Sequence, residues 1–99
     1  MKIIKTEKFS KWYKKLDMTQ KTQVDVRLTR ILVDNNFGTF KQLGDIFELK
    51  LKSGIRVYYA FDGKQLILLL NGGSKNTKRD QSKDIDQAKQ IYQEYLDGK

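Results

Sequence analysis

Residues 47–70 read FELKLKSGIRVYYAFDGKQLILLL, and the three strand patterns inside this stretch decide the class of fold. Phe47, Leu49 and Leu51 alternate with Glu48, Lys50 and Lys52, the period of two that sets one face of a strand against a core. Ser53 and Gly54 turn the chain into a second strand over residues 55–61. Asp62 and Gly63 then form a two-residue hairpin signal, because both turn positions need positive φ and these residues tolerate it. Residues 66–70 are apolar without alternation, which predicts a strand covered on both faces near the centre of the sheet.

A lone arginine interrupts the second of these strands. Alternation puts Val57 and Tyr59 on one face with Phe47, Leu49 and Leu51, and turns Arg56 and Tyr58 to the other face with Glu48, Lys50 and Lys52. That second face reads as an outward basic patch holding an aromatic ring. Lysine and arginine there suit phosphates, arginine through a bidentate fork, and tyrosine can stack on a base or share a proton. The same pattern also fits a solvated outer face on which Glu48 pairs with Lys50 or Arg56 across strands.

Helical periods flank the strands. After a short strand carrying Ile3 and Ile4, Thr6 offers a helix start, and Phe9, Trp12, Tyr13 and Leu16 form one apolar stripe. Asp17 and Thr19 punctuate its end. Val24, Leu28, Ile31 and Leu32 give a second helix that stops near Asn35 and Asn36. Residues 37–45 read as a loop. At the other end, an open stretch over residues 71–83 leads to a last helix with Ile85, Ala88, Ile91, Tyr92, Tyr95 and Leu96 on its apolar face. The order is βααβββα, an α+β fold with a mostly antiparallel sheet and helices packed on one face. Trp12, Tyr13 and Tyr92 match packing positions and are read as core.

With 99 residues the chain fits a single domain over residues 1–99. It contains no cysteine, which removes disulfides, thiolate nucleophiles and cysteine-based zinc sites. It contains no histidine either, so proton transfer near neutral pH falls to other groups. The formal net charge is +8 and the pI about 9.7, a balance that points to a polyanion or an acidic protein partner. No stretch is apolar enough for a signal peptide or a membrane span, so a soluble, cytoplasmic protein is expected. Gly72, Gly73 and the cations Lys75, Lys78 and Arg79 follow the last strand. Glycines there would let amides approach a phosphate, although the spacing is not that of a P-loop.

Phe37-Gly38, Glu48-Leu49-Lys50, Gly54-Ile55-Arg56-Val57-Tyr58-Tyr59, Leu68-Leu69-Leu70-Asn71-Gly72-Gly73-Ser74-Lys75, and Asp84-Ile85 with Ala88 form an ordered series. The series resembles the RelE/ParE superfamily of type II toxins, in its phage-related addiction module killer or HigB-like branch, over nearly the whole chain. The resemblance implies a RelE-like, microbial ribonuclease-type fold. It also implies a toxin that cuts messenger RNA on the ribosome without metal or other cofactor and arrests growth. A cognate antitoxin, acidic and DNA-binding, would hold it inactive, and no membrane is involved. Residue by residue, Arg56 matches the arginine of the family's G-x-R-V-Y strand and Lys50 the basic residue of the preceding strand. The candidate catalytic set is then Arg56, Lys50, Glu48, Tyr58, Lys75 and Arg79, with Lys52, Lys78, Gly72 and Gly73 as RNA-binding candidates. Glu48 or a lysine could serve as base, and a lysine or Tyr58 as acid. The ParE branch shares the fold and instead poisons DNA gyrase, which is the rival expectation.

Overall fold

Thr6 separates β1 (Lys2–Lys5) from α1 (Glu7–Lys14) in a computed structural model that describes residues 1–74 and 77–98. Its hydroxyl accepts from the Phe9 amide at 3.2 Å and lies 2.8 and 2.7 Å from the carbonyl oxygens of Leu69 and Leu70. One side chain thus starts the helix and pins that start to the sheet. Asp17, read as the end of the first helix, opens the second. It accepts from the Gln20 amide at 2.8 Å while the Gln20 side chain accepts from the Asp17 amide at 3.2 Å, a capping box at the head of α2 (Met18–Asp34). Asn35 closes α2 in the left-handed region at φ 52°.

Four further strands follow: β2 (Phe40–Leu43), β3 (Ile46–Lys50), β4 (Arg56–Asp62) and β5 (Leu66–Gly73). They join β1 in one five-stranded sheet of order β1-β5-β4-β3-β2. β1 runs parallel to β5 and the other neighbours are antiparallel, so the α+β, mostly antiparallel class is the one observed. α3 (Lys78–Asp97) ends the order βααββββα. Among the described residues no helix is long and apolar enough to cross a membrane.

Three local boundaries depart from the sequence reading. Residues 40–43, assigned to a loop, form edge strand β2, because a turn at Gly44 and Asp45 folds them back in register on β3. The β4–β5 turn has three residues instead of two: Asp62 pairs with Leu66, and Gly63 alone takes positive φ, at 69°. β5 and α3 also consume most of the stretch expected to be open, since Thr77 caps α3 by accepting from the Asp80 amide at 3.2 Å.

The larger correction concerns the helices. α1 and α2 cover the face that carries Leu49, Val57, Tyr59, Ile67 and Leu69. α3 covers the other, where Ala88, Ile85, Ile91, Tyr92 and Tyr95 pack on Ile46, Tyr58, Ala60, Leu68 and Leu70. Helices therefore lie on both faces instead of one. The physical reason is visible in β5, whose Ile67, Leu68, Leu69 and Leu70 are all buried: apolar side chains on both sides of a strand need two covers.

Candidate active site

Strand register lays two rows of side chains across the face under α3. Lys41, Glu48, Tyr58 and Asn71 form one row over β2, β3, β4 and β5; Lys50, Arg56 and Gly73 form the next. α3 crosses the rows at their β5 end, where the Asn71 side-chain amide donates to the Asp84 carbonyl at 3.1 Å and to Gln87 Oε1 at 3.2 Å. The helix last touches the row through Gln81, whose Nε2 donates to Glu48 Oε2 at 3.3 Å. Beyond Gln81 the sheet emerges. Thr39, Phe40, Lys41, Glu48, Lys50, Arg56 and Gln81 line an open recess of about 320 Å³ there.

Glu48 is buried at the bottom of this recess, with Lys41 and Lys50 exposed around it. Arg56 lies between these extremes, its side chain 16% exposed. Its Nε sits 3.7 Å from Glu48 Oε1 and one terminal nitrogen lies 3.5 Å from the Gly54 carbonyl. Both contacts are long, and among the described residues Nε has no hydrogen-bond partner. A guanidinium prefers several short donors to oxygen, so Arg56 is held in place with its hydrogen-bonding capacity largely unspent. Three cations on adjacent strands converge over one carboxylate, an arrangement suited to an oxyanion above and a proton acceptor below.

The structure separates the other sequence-derived candidates. Tyr58, expected to face outward, is fully buried under α3 beside Glu48. Burial first, and then the Glu48 and Asp84 carboxylates, push its phenol far above the ordinary tyrosine range. It therefore stays protonated, and its hydroxyl has no hydrogen-bond partner among the described residues. Lys52 is exposed but belongs to a different groove, on the α2 side of the sheet. Lys78 and Arg79 lie exposed in the first turn of α3, one turn before Gln81, and neither lines the recess. Lys75 lies outside the described residues.

Gly72 and Gly73 were expected to approach a phosphate, and their surroundings assign them another role. A Cβ on Gly72 would run into the Trp12 indole, and one on Gly73 into the Asp84 carboxylate. They are small so that α1 and α3 can close on the sheet from opposite sides. Four lining residues escaped sequence reading altogether: Thr39, Phe40, Lys41 and Gln81. Lys41 was hidden in the supposed loop, where only its pairing with Glu48 gives it a face; Gln81 lies 33 positions from Glu48 and carries no local signal.

Comparison with known proteins agrees with this architecture. The crystal structure of the isolated E. coli RelE toxin superposes with a TM-score of 0.64 at 24% identity, covering 85% of this chain and 94% of that one. The intact E. coli RelBE toxin–antitoxin complex matches with a TM-score of 0.61 at 23% identity, over 76% of this chain and 96% of that one. The fold is thus RelE-like. A Haemophilus influenzae protein described as uncharacterized is 39% identical over 98 residues, spanning 95% of each chain. Residues 11–93 match the family described as Phage derived protein Gp49-like (DUF891), and the chain belongs to that family.

Proposed function

We propose that the protein is the toxin of a type II toxin–antitoxin system, acting in the cytoplasm as an endoribonuclease on ribosome-bound messenger RNA. The observation that carries this reading is the Arg56 guanidinium, anchored by two long contacts at 3.7 and 3.5 Å beside Lys50 and Lys41 at the open end of the recess. The RelE-like fold and the Gp49-like family support the same reading.

The reaction is attack of a ribose 2′-hydroxyl on the adjacent phosphorus. The 2′-oxygen–phosphorus bond forms, the phosphorus–5′-oxygen bond breaks, and the products end in a 2′,3′-cyclic phosphate and a 5′-hydroxyl. Arg56 grips the non-bridging oxygens, where negative charge grows toward the phosphorane. Glu48, at the bottom of the recess, takes the 2′ proton; a Lys50 or Lys41 ammonium returns one to the leaving 5′-oxygen. Neither step needs histidine. An acidic antitoxin is the partner that a +8 toxin would attract.

Expression of the protein without a partner, with mapping of transcript 5′ ends, tests the proposal. Growth arrest with new ends inside translated messages is expected, and both vanish in Arg56→Ala while the circular dichroism spectrum is kept. Fully toxic, folded Arg56→Ala would remove Arg56 from the chemistry. Gyrase trapped on DNA, with intact messages, would replace the ribonuclease by the rival target.

A further inference from the structure

A second concavity lies around the sheet edge from the recess, between α2 and the end of β3. It has a volume of about 380 Å³, within the roughly 300–1,000 Å³ of small-ligand sites. Val26 and Leu51 supply apolar wall, and Arg27, Arg30 and Lys52 supply charge. The arginines have different jobs. Arg27 is spent on the backbone, donating to the carbonyls of Phe37, Thr39 and Lys50 at 2.8, 3.2 and 3.1 Å. Arg30 and Lys52 are exposed, and among the described residues neither takes part in an ion pair.

The groove adjoins the candidate active site. Thr39 lines both cavities. Three successive residues divide between them: Lys50 lines the recess, while Leu51 and Lys52 line the groove. Arg27 holds the Lys50 carbonyl, and so holds the two cavities in a set relation. A chain anchored at Arg56 and leaving past Thr39 would enter a groove that offers an apolar wall and two cations without an ion pair among the described residues.

We infer that this groove binds the single-stranded RNA adjoining the phosphate held by Arg56, with one nucleobase against Val26 and Leu51 and its flanking phosphates on Arg30 and Lys52. The inference rests on the ribonuclease reading and extends it to a second subsite. Alternation of apolar wall and separate cations matches the alternation of base and phosphate along a strand. A protein partner would favour aromatic residues and disfavour lysine at the centre of its interface.

The test is binding of a non-cleavable 2′-O-methyl single-stranded RNA of about 12 nucleotides, followed by fluorescence anisotropy over a salt series with the full chain. The double variant Arg30→Gln/Lys52→Gln, whose side chains are exposed, is expected to bind about tenfold more weakly. Its log K against log salt slope should be shallower by about 1.4, the loss of two phosphate contacts on a single strand at about 0.7 each. A trinucleotide that fills only the recess should be weakened by Arg56→Ala and indifferent to the double variant. Wild-type affinity and slope in the double variant, with Arg56→Ala weakened, would overturn the groove and leave the ribonuclease reading standing. Unchanged RNA binding with lost affinity for an acidic antitoxin would assign the groove to that protein. Absence of any RNA binding by the wild type would overturn the groove, and the ribonuclease reading would still be decided by the mapping of transcript ends.

Discussion

Arg56 reaches toward Glu48 across 3.7 Å at the point where the sheet leaves the cover of α3. The pair joins an under-satisfied cation to a carboxylate that Gln81 steadies from the helix. Glu48→Gln keeps the shape and removes the proton acceptor. Cleavage should fall by about 10²–10⁴, the usual contribution of a positioned acid or base, while RNA affinity holds or rises because a negative charge has left the site. Parallel anisotropy and cleavage assays on one preparation separate the two effects, and undiminished cleavage would take the base role from Glu48.

Tyr58 and Tyr59 predict an alkaline instability. Burial raises both phenols, Tyr59 to about 12 and Tyr58 further, helped by Glu48 and Asp84. Both stay neutral in the folded chain, whereas the unfolded chain ionises them near 10. Their stabilising contribution is complete below about pH 10 and declines as pH climbs toward the folded values, by up to about 1.4 kcal/mol per pH unit for each ring. Tyr58→Phe and Tyr59→Phe should each flatten the fall in stability seen by urea denaturation between about pH 10 and 12.

The Tyr58 hydroxyl lies beside Glu48 without a hydrogen bond of good geometry among the described residues, which carries a separate expectation. A buried hydroxyl without a partner costs about 1–3 kcal/mol, so Tyr58→Phe at neutral pH should leave stability unchanged or slightly raised. It should also leave toxicity intact, because the ring lies under α3. Loss of toxicity in a variant of full stability would restore Tyr58 as a proton donor.

Gly72→Ala should destabilise by about 1–3 kcal/mol, the usual cost of overpacking, because its methyl meets the Trp12 ring. RNA affinity per folded molecule should not change. A double-mutant cycle with Trp12→Leu should show the Gly72 penalty shrinking in the smaller background.

Arg27→Met removes three donors, two to carbonyls of the α2–β2 connection and one to the Lys50 carbonyl at the end of β3. A loss of about 1–3 kcal/mol is expected, seen as a fall in Tm of about 4–8 °C for each kcal/mol. Unaltered Tm would mean that water replaces the guanidinium without cost.

Much of the architecture was legible before any coordinates. The apolar stripes of the helices and the alternation of β3 and β4 follow from periods of 3.6 and 2, which local sequence carries directly. The shared face of Glu48, Lys50 and Arg56 came from that alternation, while the register that sets Lys50 opposite Arg56 and Glu48 opposite Tyr58 came only with the structure. Edge strand β2 was not legible, since four residues with two apolar side chains carry little period and pair only because β3 is there. The cover on both sheet faces had left a trace in the doubly apolar β5, yet the trace does not say which helix supplies it.

By itself the sequence determined which side chains of β3 and β4 share a face, because side chains alternate along a regularly paired strand. What covers that face only the tertiary structure decided. α3 returns from far along the chain to bury Tyr58, and its contact with this face ends at Gln81 in its first turn, so that Lys41, Lys50 and Arg56 remain open around Glu48. Burial depends on packing between distant segments, and no local period records where a helix will stop covering a sheet.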